Sequence, residues 1–359
     1  MQRSIQTALV FILVCLAAPA ALAFEPARIA LVPAEDGRAR LDVSGTWPDT
    51  CPPQLVDVLV QGRDVVLSAS RESAGCNPTP TPYAFSSESL ALEDLMPAAG
   101  IHRIRLVVED ALRPEPLLAG FTLVRGSEAG SATTMETGFW WADQGGEFGA
   151  GPGLGLSVES QAGLISLSVM GYDVDGDATW FFGAGALVDG IAHLDLGRFD
   201  GGAGPFARYA APSDVQLSGI VDVEVLSPSR ATLWFSRTDP VTGGLELRPL
   251  SIVRFHFAQE PGAALLGRWV VTGSQDGART TRWIDLVRSE MLPDGFLLHD
   301  AEGNVSLSCD TPPGRASSPP VLCRMQGIDG DLVEFTDVAL RRLSGWDAQG
   351  QRTLAFRLD

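Results

Sequence analysis

The chain contains no lysine, and its 26 basic residues are all arginine. This excludes a Schiff-base lysine and a lysine general base. Against 44 acidic residues the arginines leave a formal net charge of -18, so no nucleic-acid partner is expected. Histidine is scarce: His102, His193, His256 and His299 are scattered along the chain. No Gly-x-Ser-x-Gly element occurs, so a Ser-His-Asp site would have to be assembled in space from distant residues. No pair of acids stands out for glycoside cleavage. No two cysteines have the spacing of a zinc knuckle or a thiol redox site. No cofactor and no metal are expected. Beyond the first residues there is no run of ~20 apolar residues, so no membrane span is expected in the mature chain.

What is present begins with Met1 to Ala23. Arg3, the apolar run ALVFILVCLAA and the small-residue end Ala21-Leu22-Ala23 read as a signal peptide cleaved after Ala23. Cys15 lies inside the apolar run behind Val14, which disfavours a lipid-anchored start there. The expected location is secreted or periplasmic. Four cysteines then remain, Cys51, Cys76, Cys309 and Cys323, an even number in an exported chain. Three connectivities are open to them. The simplest pairs Cys51 with Cys76 and Cys309 with Cys323, each within one proposed domain.

Hydrophobic alternation with a period of two, punctuated by Gly, Pro, Asp and Asn, makes the chain all-β. Residues 24–126 predict a β-sandwich with strands near Arg40–Trp47, Leu55–Val60, Asp64–Ser68, His102–Val108 and Gly120–Arg125. The small, polar stretch from Ser127 to Thr134 reads as a linker. Residues 135–258 predict an antiparallel meander barrel of about eight strands, because full closure removes the sheet edges. Its strands start at Gly138-Phe139-Trp140 and continue through Leu164–Tyr172, Ala178–Phe182, Leu187–Leu196, Val215–Val225, Ala231–Ser236 and Leu247–Phe257. Asp175-Gly176 reads there as a two-residue hairpin turn. Residues 263–359 predict a smaller β unit that opens on a second Gly-x-Trp, Gly267-Arg268-Trp269. It contains a strand at Val333–Leu343, and Cys309 and Cys323 close the Pro-rich loop Asp310–Pro320. The pattern leaves open whether this unit copies the central module or is an unrelated sheet.

Three resemblances accompany this reading. The piece LMPAAGIHRIRLVVED resembles the bend between late strands of immunoglobulin-like modules, with His102 in the place of the strand-opening aromatic. Gly138-Phe139-Trp140 with Arg254 resembles the lipocalin and avidin-like barrels, which implies that Trp140 and Arg254 pack across a closed end, where a guanidinium can stack on the indole and hydrogen-bond the surrounding carbonyls. Gly138, Trp140, Trp141, Gly153, Gly155, Tyr172, Asp173, Gly176, Trp180 and Phe181 also resemble a repeat found in secreted and periplasmic proteins of Gram-negative bacteria. That likeness covers most of residues 136–257 and implies an exported β module without bringing an activity.

The motifs that could carry chemistry are few. Asp173, Asp175 and Asp177 alternate like calcium ligands but lack the length and the downstream glutamate of a helix-loop-helix site. Gly151, Gly153 and Gly155 precede a strand, whereas a phosphate cradle opens a helix. Aromatics concentrate in the central module, and adjacent aromatics on a strand point to opposite faces. One of each doublet is therefore core and the other faces a ligand or a neighbouring domain. Trp141, Tyr172, Trp180 and Phe182 are the candidate ligand-binding residues; Trp140 and Arg254 are structural. The expected function is an exported, non-catalytic β protein that binds a ligand, a surface polymer or a cell-surface partner through the central module. A secreted hydrolase with a spatially assembled site is the alternative, and a purely structural or adhesive role is not separated from the first reading.

Overall fold

The computed structural model describes residues 25–34, 36–98, 100–126, 134–151, 153–173, 176–204, 206–239, 244–258, 260–275, 278–311, 318–327 and 332–358. The signal-peptide segment, all but the last residue of the linker, and Asp175 lie outside them. The chain is nearly all β, as the alternation predicts. Strands β1 (Arg28–Pro33), β2 (Arg38–Trp47), β3 (Gln54–Gln61), β4 (Asp64–Arg71), β5 (Thr81–Ser86), β6 (Leu90–Ala91), β7 (Ile101–Asp110) and β8 (Leu117–Arg125) make two four-stranded sheets. One has the order β1-β2-β5 with β6 also on β2, and the other β3-β4-β7-β8. Leu41 and Val43 of the first share one core with Val65, Leu67, Ile104 and Leu106 of the second, which makes the pair a sandwich. β4 runs parallel to β7, unlike the antiparallel ladders of immunoglobulin-like sandwiches. β1 and β5 were not apparent in the sequence; Pro82 marks Thr81–Ser86 as a loop unless it is an edge strand, which β5 is. Cys51 is bonded to Cys76.

Strands β9 (Gly138–Ala142), β10 (Gly155–Gln161), β11 (Leu164–Tyr172), β12 (Ala178–Val188), β13 (Ile191–Asp200), β14 (Asp214–Ser227), β15 (Arg230–Thr238) and β16 (Leu245–Arg254) form a closed antiparallel barrel. Ile165, Leu167 and Val169 point inward as their alternation requires. Two turns differ from expectation. Leu187–Leu196 is not one strand: Val188 pairs with Ile191, and Asp189 and Gly190 between them both have positive φ, at 51° and 80°. This is the primed two-residue turn that the Asp-Gly signal describes. At the other Asp-Gly the last strand pair is Tyr172 with Ala178, and the Asp173 N–H donates to the Asp177 carbonyl at 2.9 Å. Three residues separate Asp173 from Asp177, and Gly176 takes the left-handed conformation (φ 86°). The register of the joined strands, and not the dipeptide, decides how many residues the turn takes.

Strands β17 (Gly267–Gln275), β18 (Ala278–Leu292), β19 (Gly295–Asp300), β20 (Ser306–Asp310), β21 (Cys323–Gln326), β22 (Leu332–Val338), β23 (Arg342–Asp347) and β24 (Arg352–Arg357) close a second barrel. The expected strand Val333–Leu343 is thus two strands with a turn around Ala339. Cys309 and Cys323 are cross-strand partners, disulfide-bonded inside this barrel.

The two barrels are closed in the same way. Trp140 on the first strand faces Arg254 on the last, and Trp269 faces Arg357. Each indole N–H donates to the carbonyl four residues earlier, Glu136 at 3.0 Å and Leu265 at 2.9 Å. Arg254 donates to the Phe139 and Phe255 carbonyls, and Arg357 to the Ala264 carbonyl. The guanidinium therefore satisfies carbonyls and does not stack on the indole; the cation–π contacts among the described residues join Arg71 to Trp47 and Arg103 to Phe148 and Trp234. Gly138 and Gly267, at φ 131° and 128°, open both barrels. A Cβ on Gly138 would lie 2.6 Å from Arg254 Cζ. Gly138→Ala is expected to cost about 2 kcal/mol or more, combining backbone strain with displacement of Arg254. Gly151→Ala, where the added Cβ meets nothing within 4 Å, should stay within about 0.5 kcal/mol. Urea midpoints of the two variants check the difference.

Candidate functional site

The ends of the central barrel differ. At one end β10–β11, β12–β13 and β14–β15 are joined by two-residue connections at 162–163, 189–190 and 228–229. Trp140, Leu156, Leu194, Val223 and Leu233 fill the interior. The longer connections, 143–154, 173–177, 201–213 and 239–244, all emerge at the other end.

That second end is open. A cavity of about 590 Å³ is lined by Tyr172, Asp173, Phe181, Leu196, Arg198, Ile220, Phe235, Arg237, Glu246 and Arg248, with Ser218, Gly219 and Ser236. The register explains why charges point inward. Phe181 pairs with Arg198, Phe235 with Arg248 and Arg237 with Glu246, and each pair continues the inward row of Leu196, Leu233 or Leu250. The arginines are ion-paired: Arg237 with Glu246 at 2.6 Å, Arg248 with the same carboxylate at 3.6 Å, and Arg198 with Asp200 at 3.3 Å and Asp173 at 3.8 Å.

An apolar belt runs along the outer wall beside this mouth. Trp141, Gly155, Met170 and Trp180 are successive cross-strand partners on β9 to β12. Trp180 stacks on Phe199 with centroids 5.1 Å apart and planes at 12°. Phe182, Val215 and Leu217 extend the exposed row. Gly155 leaves room for neighbours, since a Cβ there would meet Phe139 Cζ at 3.2 Å and Met170 Cε at 3.4 Å. Trp141 itself packs with Phe139 and Phe255 at 6.1 and 5.9 Å, beside the exposed Phe257.

Of the four sequence-predicted ligand residues, Tyr172 lines the mouth, Trp180 and Phe182 stand exposed on the adjoining wall, and Trp141 lies half-buried in the same row. The mouth residues Arg198, Arg237, Glu246 and Arg248 were missed. Their signal was present: in LDLGRFD, LWFSRT and LELRPL each charge keeps step with buried leucines, where a strand facing a closed core carries none.

The other aromatics of the module serve interfaces. Trp234 on β15 is buried against the sandwich, 5.4 Å from Phe121 and 5.2 Å from Phe148, with Arg103 over its ring. Its indole N–H donates to Glu224, whose carboxyl burial pushes above the usual range despite that bond and nearby Arg103. At the closed end the Glu136 carboxylate accepts the Leu340 and Arg341 N–H groups at 2.9 and 2.7 Å. Ser229 donates to the Val338 carbonyl at 2.6 Å, and Arg230 to the Pro319 carbonyl at 2.7 Å. The second barrel thus seats on the end that Trp140 closes.

The histidines divide. His193 Nδ1 lies 2.6 Å from Asp222 on the exposed outer wall, a bond that raises its pKa, and no serine hydroxyl is hydrogen-bonded to it among the described residues. His102 and His256 are buried, and desolvation holds both below the usual imidazole range. Among the described residues one group of three potential metal ligands lies close together, Asp49, Cys51 and Cys76, and its two cysteines are bonded to each other. No helix among them is long and apolar enough to cross a membrane.

Comparison of the chain with protein-family models, with curated proteins and with solved structures gives no match.

The half-buried Glu136 makes a pH prediction. Its folded pKa is raised, chiefly by burial, so the folded chain holds a proton that the unfolded chain has released. Stability from this group therefore falls as pH rises from about 4.5 through the raised folded value. Glu136→Gln should lessen that fall, seen in thermal midpoints between pH 4.5 and 7.5; Glu224 and Asp337, also raised by burial, add to it, while His102 and His256, held low by burial, oppose it.

Proposed function

We propose that the protein is an exported, non-catalytic binding protein whose central barrel takes its ligand or partner at the open end. The observation that carries this reading is the contrast between two barrels of one construction. Among the described residues the cavity inside the second barrel measures about 10 Å³, whereas the first opens into one of about 590 Å³. Cavities of that size, with apolar walls and a few convergent polar groups, are the usual form of small-ligand sites. The aromatic belt beside the mouth adds the kind of exposed apolar surface that marks interaction sites. The two disulfides fit an oxidising compartment, and export itself rests on the Met1–Ala23 signal. The secreted-hydrolase alternative has only the His193–Asp222 pair in its favour, and that pair faces open solvent away from the cavity.

Tryptophan emission titrated with a panel of oligosaccharides and apolar probes tests the reading. A saturable shift is expected, weakened about three- to tenfold in Trp180→Ala or Tyr172→Ala, the range set by loss of one aromatic contact of ~0.5–1.5 kcal/mol. A silent panel, with both variants indistinguishable from the parent in partner capture, refutes it.

A further inference from the structure

The mouth gathers cations in an acidic molecule. Arg198, Arg237 and Arg248 face the cavity with Asp173 and Glu246, and Asp200 lies 3.3 Å from Arg198, so three guanidinium groups meet three carboxylates in a chain of formal charge -18. Their pairing is incomplete. Glu246 gives one oxygen to Arg237 at 2.6 Å, while the other lies 3.6 Å from Arg248, whose side chain is 82% exposed. Arg198 has only the longer contacts to Asp200 and Asp173, and its Nε is buried with no acceptor among the described residues. Beneath the arginines the lining turns apolar, with Phe181 and Phe235 reaching the core.

We infer that the mouth binds an amphipathic monoanion of the carboxylate class. Its carboxylate lies on Arg198 and Arg248, and its apolar body lies against Phe181 and Phe235. Planar guanidinium forks match a carboxylate's two oxygens. With Asp173, Asp200 and Glu246 already at the three arginines, a monoanion can compete for a guanidinium, whereas a dianion would be opposed by all three carboxylates. Glu246 acts as the gatekeeper, occupying Arg237 and drawing Arg248 until a ligand carboxylate competes for it. This assignment rests on the binding-protein reading and names the ligand class for the same site.

Isothermal titration of the full protein at pH 7.5 with octanoate and with 1-octanol separates the head group from the apolar body. Octanoate should bind at least about tenfold more tightly than 1-octanol, as expected of a charge-assisted contact. Arg198→Gln should abolish that preference while leaving 1-octanol binding unchanged, which also shows that the variant is folded. Glu246→Gln, by releasing Arg248, should tighten octanoate severalfold. The inference is overturned if 1-octanol binds as tightly as octanoate, if Arg198→Gln and Arg248→Gln keep the preference, or if neither probe binds. In each of those cases the broader binding reading survives when the fluorescence panel still responds, and falls with the inference only when the panel is silent as well.

Discussion

An antiparallel sheet of eight strands has two open edges until its first strand pairs with its last. Closing it requires strong curvature and leaves one end of the interior to be sealed. Both barrels meet that constraint with the same few groups. A tryptophan on the opening strand fills the end, its N–H satisfied by the carbonyl four residues back, and an arginine on the final strand gathers carbonyls across the join. The glycine two residues before each tryptophan sits at a positive φ. In the first barrel it also leaves the space that the Arg254 guanidinium fills. Burying a guanidinium is tolerable here because its donors find carbonyls, although burial lowers the Arg254 pKa below its free value.

The sealed end is also where the molecule is assembled. Glu136 serves both purposes: its carbonyl takes the Trp140 indole N–H, and its carboxylate takes two backbone N–H groups of the second barrel. On another side of the same barrel, Trp234 fits between Phe121 of the sandwich and Phe148 of the barrel's own loop. The seat of the second barrel leaves the opposite end free, and there the sandwich meets the 143–154 connection through Arg103 with Glu147 and Phe148. The cavity and the aromatic belt lie together at that end.

The barrels differ in what lies above their apolar layers. In the second, the Cys309–Cys323 bridge and Phe335 occupy the interior, and the cavity among its described residues measures about 10 Å³. In the first, β13, β15 and β16 continue past the apolar layers, and the inward positions there carry Arg198 on β13, Arg237 on β15, and Glu246 and Arg248 on β16. Ion pairing keeps these charges at the rim at modest cost, since solvent reaches them. One barrel thus serves as a filled scaffold, while the other keeps polar groups above an apolar floor.

Alternation alone determined much of this protein: the all-β class, the strand at Leu164–Tyr172 to the residue, seven of the central module's eight strands, with β10 read only as a glycine-rich approach, and the opposite facing of Trp140 and Trp141. These follow from a period of two, which is local and written directly in the residues. The local pairing of four cysteines was legible for the same reason. Which Asp-Gly makes the two-residue turn, where Val333–Leu343 breaks, and that the last unit closes as a second barrel with Arg357 as counterpart of Arg254 depended on register, a relation between distant strands that no single stretch encodes. The mouth is the clearest case. The charges of LDLGRFD, LWFSRT and LELRPL lie up to about fifty residues apart, and only closure of the barrel turns three unrelated strand ends into one arginine-lined cavity.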